Sequence, residues 1–300
     1  MNTRKIAALL SFFLLPVLLH AASEGHFDRT LSVSGSVNLD VTTGSGDITV
    51  RTGASNQVVV HGTVHASGWF GNENAVHQIE SNPPIEQSGN SIRIGYNLAG
   101  DAQRHVGISY EITVPADTAL KAHSGSGNVD ASGTRLEAQL ATGSGDIRAR
   151  DLGHGVHVQS GSGNIRVEEV AAPFDAQTGS GDIEASLTGS GDVTIHTGSG
   201  NIHVRGVQGG VHARTGSGDV EADGSVTGPW QLHSGSGNIR LAVGTGKGFN
   251  LNAHTSSGSI HSDLPILVQG SVGGKQLTGT VAGGGPEVEA STSSGDVEIR

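Results

Sequence analysis

One phrase, Gly-Ser-Gly followed by Asp or Asn, recurs along the chain and limits its possible folds more than any other feature. The acidic or amide residue falls at Asp47, Asn128, Asp146, Asn164, Asp182, Asp192, Asn201, Asp219 and Asn238, with degenerate copies at Ser259 and Asp296. Counted once per unit from Asn128, the steps are 18, 18, 18, 19, 18, 19 and 21 residues. A near-constant period over this many copies is a solenoid signal.

Two apolar alternations accompany the phrase. One follows it, as in Ile147/Ala149, Ile165/Val167 and Ile183/Ala185; the other precedes it, as in Ala138/Leu140/Thr142, Val156/Val158/Ser160 and Trp230/Leu232/Ser234. Period two means β-strand, with these side chains on one face. Turn formers such as Gly155, Pro173, Gly210 and Pro229 stand just before the second kind of strand. Each unit therefore reads strand, turn, strand, corner, and the additional copy at Asp192 takes the opposite corner. The expected fold is all-β: a single-chain parallel β-solenoid (β-helix) of either hand, about 18 residues per coil, with an irregular N-terminal part. An interior of Val, Ile, Leu and Ala is thin, which fits an aromatic content of 3%.

Residues 1–23 read as a cleaved signal peptide. Arg4 and Lys5 form a basic start, residues 6–19 an apolar run broken by Pro16, and Ala21-Ala22-Ser23 a small-residue cleavage site. The expected mature domain is 24–300, with an irregular insertion or cap at 66–105 and regular coils over 116–300. The expected location is exported: periplasm, cell surface or extracellular space. With no Cys, neither disulfides nor a lipid anchor on Cys contribute. The chain carries 17 basic and 28 acidic residues, a formal charge of −11. That balance disfavours nucleic acid and anionic membranes as partners. No other apolar run is long enough to span a bilayer, so no stable membrane insertion is expected after cleavage.

Once per coil, the corner residue reads Asn128, Asp146, Asn164, Asp182, Asn201, Asp219, Asn238, a strict alternation. Stacked carboxylates would stand about 5 Å apart and repel, whereas intervening Asn spaces them to roughly 10 Å. This row is expected to be a structural corner ladder. The outward position two residues later mixes signs (Asp130, Arg148, Arg166, Glu184, His203, Glu221, Arg240, His261), as cross-strand pairing would require.

The N-terminal leader, the stretch YEITVPADTAL (residues 110–120) and the SGSGN/TGSGD run together resemble the bacterial putative-adhesin family of β-strand-repeat domains, a domain of unknown function. The resemblance implies a β-solenoid at the cell envelope or surface and supplies no catalytic residues. Residues 66–105 are where a departure from that family is expected.

Competing chemistries fit less well. The calcium-binding nonapeptide roll needs a different register, and here Gly145 touches Asp146 directly with Ile147 at once after it. Gly244-Thr-Gly246-Lys247-Gly248 lacks the earlier Gly and the following Ser/Thr of a phosphate loop. His61 and His65 lie in one strand about 13 Å apart, too far to share a metal. His233 and His254 are expected one coil apart and make at best a two-ligand site. Carboxylates run along ladders instead of clustering, so no catalytic residues are assigned and a polysaccharide-active β-helix enzyme is disfavoured. An outward Thr/Ser-x-Ser ice-binding array conflicts with the inward alternation from Leu140 to Thr142.

The expected function is therefore a non-catalytic exported envelope or surface solenoid, an adhesin or scaffold, with no cofactor and no metal. Its rival is a carbohydrate- or protein-binding module that uses 66–105, with Trp69, Phe70 and Tyr96 as partner contacts, because irregular loops on rigid scaffolds often carry function. The competing role for that segment is a cap that blocks edge-to-edge pairing. The ligand, glycan or protein, is not named by the sequence.

Overall fold

The computed structural model describes residues 24–54, 56–66, 73–98, 106–244, 247–268 and 274–300. The expected signal peptide lies outside these residues, as do Trp69 and Phe70. Apart from one helix, Glu73–Ser81, the described elements are strands of a single large sheet wound in a solenoid-like manner.

Two long faces meet at the Gly-Ser-Gly corner. On the first, Val37–Ser45, Thr118–Ser126, Ala138–Thr142, Val156–Ser160, Phe174–Ser180 and Val193–Ser199 stack in parallel, continued by the second halves of Ile202–Ser217 and Val220–Ser236. On the second, Ile48–Thr52, Val129–Ser132, Ile147–Arg150, Ile165–Ala171 and Ile183–Thr188 stack likewise, continued by the first halves of the same two long strands and by Ile239–Val243. A short third side is closed by Leu152, Val170, Leu187, Val207 and Val226, all buried.

Inward side chains form continuous rows. One runs Leu39, Leu120, Ala138, Val156, Phe174, Val193, Val211, Trp230, and every member is buried. Each Val, Leu or Ile so placed contributes about 1.5–3 kcal/mol relative to exposure. Trp230 is fully buried and spends its one donor on the Gly209 carbonyl at 3.0 Å.

The corner glycines allow the coils to approach. A Cβ at Gly143 would lie 2.5 Å from the Gly125 oxygen, and one at Gly145 would lie 2.2 Å from the Gly127 oxygen. Both clashes are with backbone, which cannot swing away. Beside them runs an inward hydroxyl row. Ser160 donates to the Gly145 carbonyl at 3.0 Å and Thr178 to the Gly163 carbonyl at 2.9 Å, and the pattern repeats from Ser124 to Thr292. These hydroxyls satisfy carbonyls that turn inward at the corner, where an unpaired acceptor is costly. The row is buried, so the Thr side chains do not form an outward array.

The two ends depart from a wholly parallel stack, and at each end the order of coils in space differs from the order in sequence. Near the N-terminal end, Val37–Ser45 and Ile48–Thr52 pair with strands that begin at Thr118 and Val129. The intervening chain folds outside them. Ser91–Ile94 adds in parallel to the first face and Val106–Val114 to the second, and antiparallel Gln57–Ala66 and Glu24–Ser32 then cover Val106–Val114. Near the C-terminal end, Glu287–Ser294 and Val297–Ile299 lie between the Val220–Val243 coil and the coil of Phe249–Ser257 and Ile260–Ser262. Antiparallel Gln276–Val281 and Ile266–Val268 then cover Phe249–Ser257.

The described residues within 66–105, 73–98, carry regular structure. The helix buries Ala75, Val76 and Ile79, an amphipathic spacing, and ends before Pro83-Pro84. Gly25 makes room for it, because a Cβ there would meet Val76 at 2.5 Å. Ile85–Ser88 and Ser91–Ile94 form an antiparallel pair that carries Tyr96 onto the rim of the first face.

Candidate functional site

The corner residues form one hydrogen-bonded chain that crosses the coils. The backbone N–H of each donates to the side-chain oxygen of the one before: Asn128 to Asp47 (2.7 Å), Asp146 to Asn128 (3.0 Å), Asn164 to Asp146 (2.9 Å) and Asp182 to Asn164 (3.0 Å). Asn201, Asp219 and Asn238 continue it at 2.7, 2.9 and 2.7 Å. Asn238 then receives the N–H of Asp296, not of Ser259, at 2.9 Å, and Asp296 receives both the N–H and the hydroxyl of Ser259 at 2.8 Å. At the start, the N–H of Asp47 donates to the Ser109 hydroxyl at 3.2 Å. Read in space, Asp and Asn alternate without a break from Asp47 to Asp296, and a serine stands at each end. The two Ser259 donors, the hydroxyl foremost, hold the Asp296 carboxyl below the ordinary carboxylate range. One side-chain oxygen of each corner residue is thus engaged by the next coil.

The outward charged row on the second face pairs across coils. Arg166 meets Glu184 at 2.7 Å, His203 meets Glu221 at 2.9 Å and Arg240 meets Glu298 at 3.5 Å. Glu168 bridges Arg166 and Arg150 at 2.9 and 2.7 Å, and these hydrogen bonds hold its carboxyl below the ordinary range.

The histidine geometry needs one correction. Strand Glu287–Ser294 places Ser291 between His233 and His254, so these two stand two coils apart, about 10 Å, instead of one. His233 Nδ1 lies 3.0 Å from the Ser291 hydroxyl. Burial, helped by Arg214, pushes the His233 pKa down. His61 sits 2.7 Å from Asp28 and stacks on His26, with ring centroids 6.0 Å apart. Among the described residues no group of three or more His, Asp or Glu is placed to hold a metal ion.

Of the three residues expected to contact a partner, Tyr96 is described. It is 40% exposed at one end of a groove of about 520 Å³ along the first face. The Arg93 guanidinium lies 4.1 Å from its ring centroid, and its hydroxyl donates to Asp40 at 2.7 Å. Burial, followed by Asp40, pushes the Tyr96 pKa up. Outward residues of the stacked strands line the groove, among them Lys121, His123, Gln139, Gln159 and Gln177. Sequence reasoning missed them. Their signal was the polar half of the same alternation that located the inward rows. What it lacked was the pairing of Ser91–Ile94 with Val37–Ser45, which brings Tyr96 beside them.

Comparison with known proteins supplies the family. The family model described as Toastrack DUF4097 matches residues 38–300. The chain belongs to the Toastrack family. Toastrack folds are β-solenoid-like, in keeping with the wound sheet. Among solved structures, a "putative adhesin" from Bacteroides fragilis is similar at 15% identity, with 93% of this chain and 97% of that one covered and a TM-score of 0.36. A "putative cell adhesion protein" from Clostridium sporogenes matches at 12% identity, 92% and 99% coverage and a TM-score of 0.27. A "putative lipid binding protein" from Parabacteroides distasonis matches at 12% identity, 92% and 97% coverage and a TM-score of 0.31. No curated protein matches the chain. No helix among the described residues of this Toastrack protein is long and apolar enough to cross a membrane.

Proposed function

We propose that this Toastrack protein is an exported, non-catalytic scaffold of the cell envelope or surface, built from coils of about 18 residues, that binds a neutral glycan along its first face. The observation that carries the reading is the groove beneath Tyr96. An aromatic face held by Arg93 and Asp40 stands at one end of a groove lined by outward side chains of stacked coils, chiefly His123, Gln139, His157, Gln159 and Gln177, with Lys121 and Asp175 among them. An apolar ring face with fixed polar partners suits a sugar, whose ring presents C–H bonds on one side and hydroxyls at its edge.

The non-catalytic part rests on the use already made of the carboxylates. Those of the corner ladder accept hydrogen bonds from neighbouring coils, and Glu168, Glu184 and Glu298 are paired with arginines. The exported part rests on the leader-like residues 1–23.

The test is a screen of glycans and envelope fractions on the mature chain, repeated with Tyr96→Ala and Gln139→Ala. Loss of about tenfold in affinity at an unchanged Tm is the expected outcome. Binding that ignores both substitutions would place the ligand elsewhere.

A further inference from the structure

On the second face, the outward row reads in space Asp130, Arg148, Arg166, Glu184, His203, Glu221, Arg240, Glu298, His261. Every adjacent pair joins an acidic residue to a basic residue or histidine, except one. Arg148 stands in register with Arg166. Like charges directly opposite each other destabilise a sheet, so stacking alone does not explain this step.

The exception lies where further guanidinium groups gather. Arg51, Arg148, Arg150 and Arg166 line one groove of about 550 Å³, with Asp130 and Glu168 as the acidic residues in its wall. Glu168 is already shared between Arg150 and Arg166. Arg148 reaches only Asp146, at 3.6 Å, and Arg51 makes no ion pair among the described residues. Burial, with Asp47 and Asp146 nearby, pushes the Asp130 carboxyl above the ordinary range against the pull of Arg148 and Arg51. Arg166 is also paired with Glu184 at 2.7 Å, so the weakly held guanidinium groups are Arg51 and Arg148. In a chain with a formal charge of −11, four arginines facing one groove with two carboxylates in its wall are a local concentration of positive charge.

We propose that this groove binds an acidic polysaccharide, whose carboxylate or phosphate groups are held by Arg51, Arg148, Arg150 and Arg166. Guanidinium forks match both anions in geometry. The groove runs across successive coils, which suits a thin chain with regularly spaced charges. No aromatic ring lines it for base stacking, and the acidic remainder of the molecule disfavours duplex nucleic acid or an anionic bilayer. This face is separated from the Tyr96 groove by the corner, so the two assignments stand or fall independently.

The experiment measures binding of the full chain at low salt to polygalacturonate, to a phosphomannan and to neutral dextran. Binding to one or both anionic polymers, weakened by added NaCl, is expected, whereas any binding to dextran should be insensitive to salt and to the arginine substitutions. Arg51→Gln with Arg148→Gln should weaken binding of the anionic polymer at least tenfold, Asp130→Asn should strengthen it, and Tyr96→Ala should leave it unchanged. The Tm of Arg148→Gln should hold or rise, because the substitution removes the like-charge step. The proposal is overturned if neither polymer binds, if the double variant binds as wild type, or if lost binding comes with a lowered Tm. Tighter binding to duplex DNA or anionic vesicles than to either polymer overturns it as well.

Discussion

The backbone N–H of Asp296 donates to the side-chain oxygen of Asn238 at 2.9 Å across 58 residues of sequence. This bond keeps the alternation of Asp and Asn intact where the sequence has Ser259 next. Asn238→Asp would set three carboxylates in consecutive coils (Asp219, the substituted residue, Asp296), each about 5 Å from the next. Repulsion at that spacing near water is about 1 kcal/mol per pair. A lower Tm at low ionic strength is expected, largely recovered in 1 M NaCl, where screening reaches only about 3 Å. A deficit independent of salt would show that the alternation is not electrostatic.

The same glycine in the same motif should differ in tolerance according to its place in the stack. Gly143→Ala drives a methyl group to 2.5 Å from the Gly125 oxygen, whereas a Cβ added at Gly44, in the corner before Gly125, would meet nothing within 4 Å. Overpacking against backbone costs about 1–3 kcal/mol. Chemical denaturation should show that loss for Gly143→Ala and almost none for Gly44→Ala.

Thr178 tests the inward hydroxyl row. Thr178→Val keeps the shape but leaves the Gly163 carbonyl without its 2.9 Å donor. A loss of about 1–3 kcal/mol is expected by denaturant titration, with Thr178→Ser close to wild type. A larger loss for Thr178→Ser than for Thr178→Val would assign the site to methyl packing instead.

Tyr110 is buried against Phe27, its hydroxyl has no hydrogen-bond partner among the described residues, and burial pushes its pKa well above the usual tyrosine value. Tyr110→Phe removes an unsatisfied group and should hold or raise the Tm at pH 7. The folded pKa is raised, so this tyrosine's contribution is intact below the unfolded value near 10 and is lost as pH climbs beyond it. The Phe variant should therefore lose less stability between about pH 10 and 11. Identical alkaline profiles would contradict the burial of this phenol.

The corner phrase and the inward rows were legible because period two and the near-constant corner spacing are local properties of the chain. Trp230, Phe174 and Thr178 stand on the side the alternation assigned them. The corner row of Asn128 through Asn238 also carried its electrostatic logic openly. The order of coils at the two ends was not legible, since parallel registers look alike whichever neighbour supplies them. For that reason His233 and His254 were read one coil too close. Extending the Asp/Asn alternation one step would have placed Asp296 after Asn238. The Tyr96 groove was hidden for a related reason, because it depends on Ser91–Ile94 joining the first face ahead of Val37–Ser45.

The interleaved coil near the C-terminal end bears on how the molecule assembles. A repeat array can close like a zip, each unit settling on the one already made. Here the strand pair that includes Phe249–Ser257 emerges first and can meet Gln276–Val281, yet has no place on the stack until Glu287–Ser294 arrives to fill the gap beside Val220–Ser236. At the opposite end, Val37–Ser45 waits for Thr118–Ser126. Such long waits raise the entropic cost of closing both ends. The central coils can form from near neighbours alone, so they are expected to order early, with the two ends locking last.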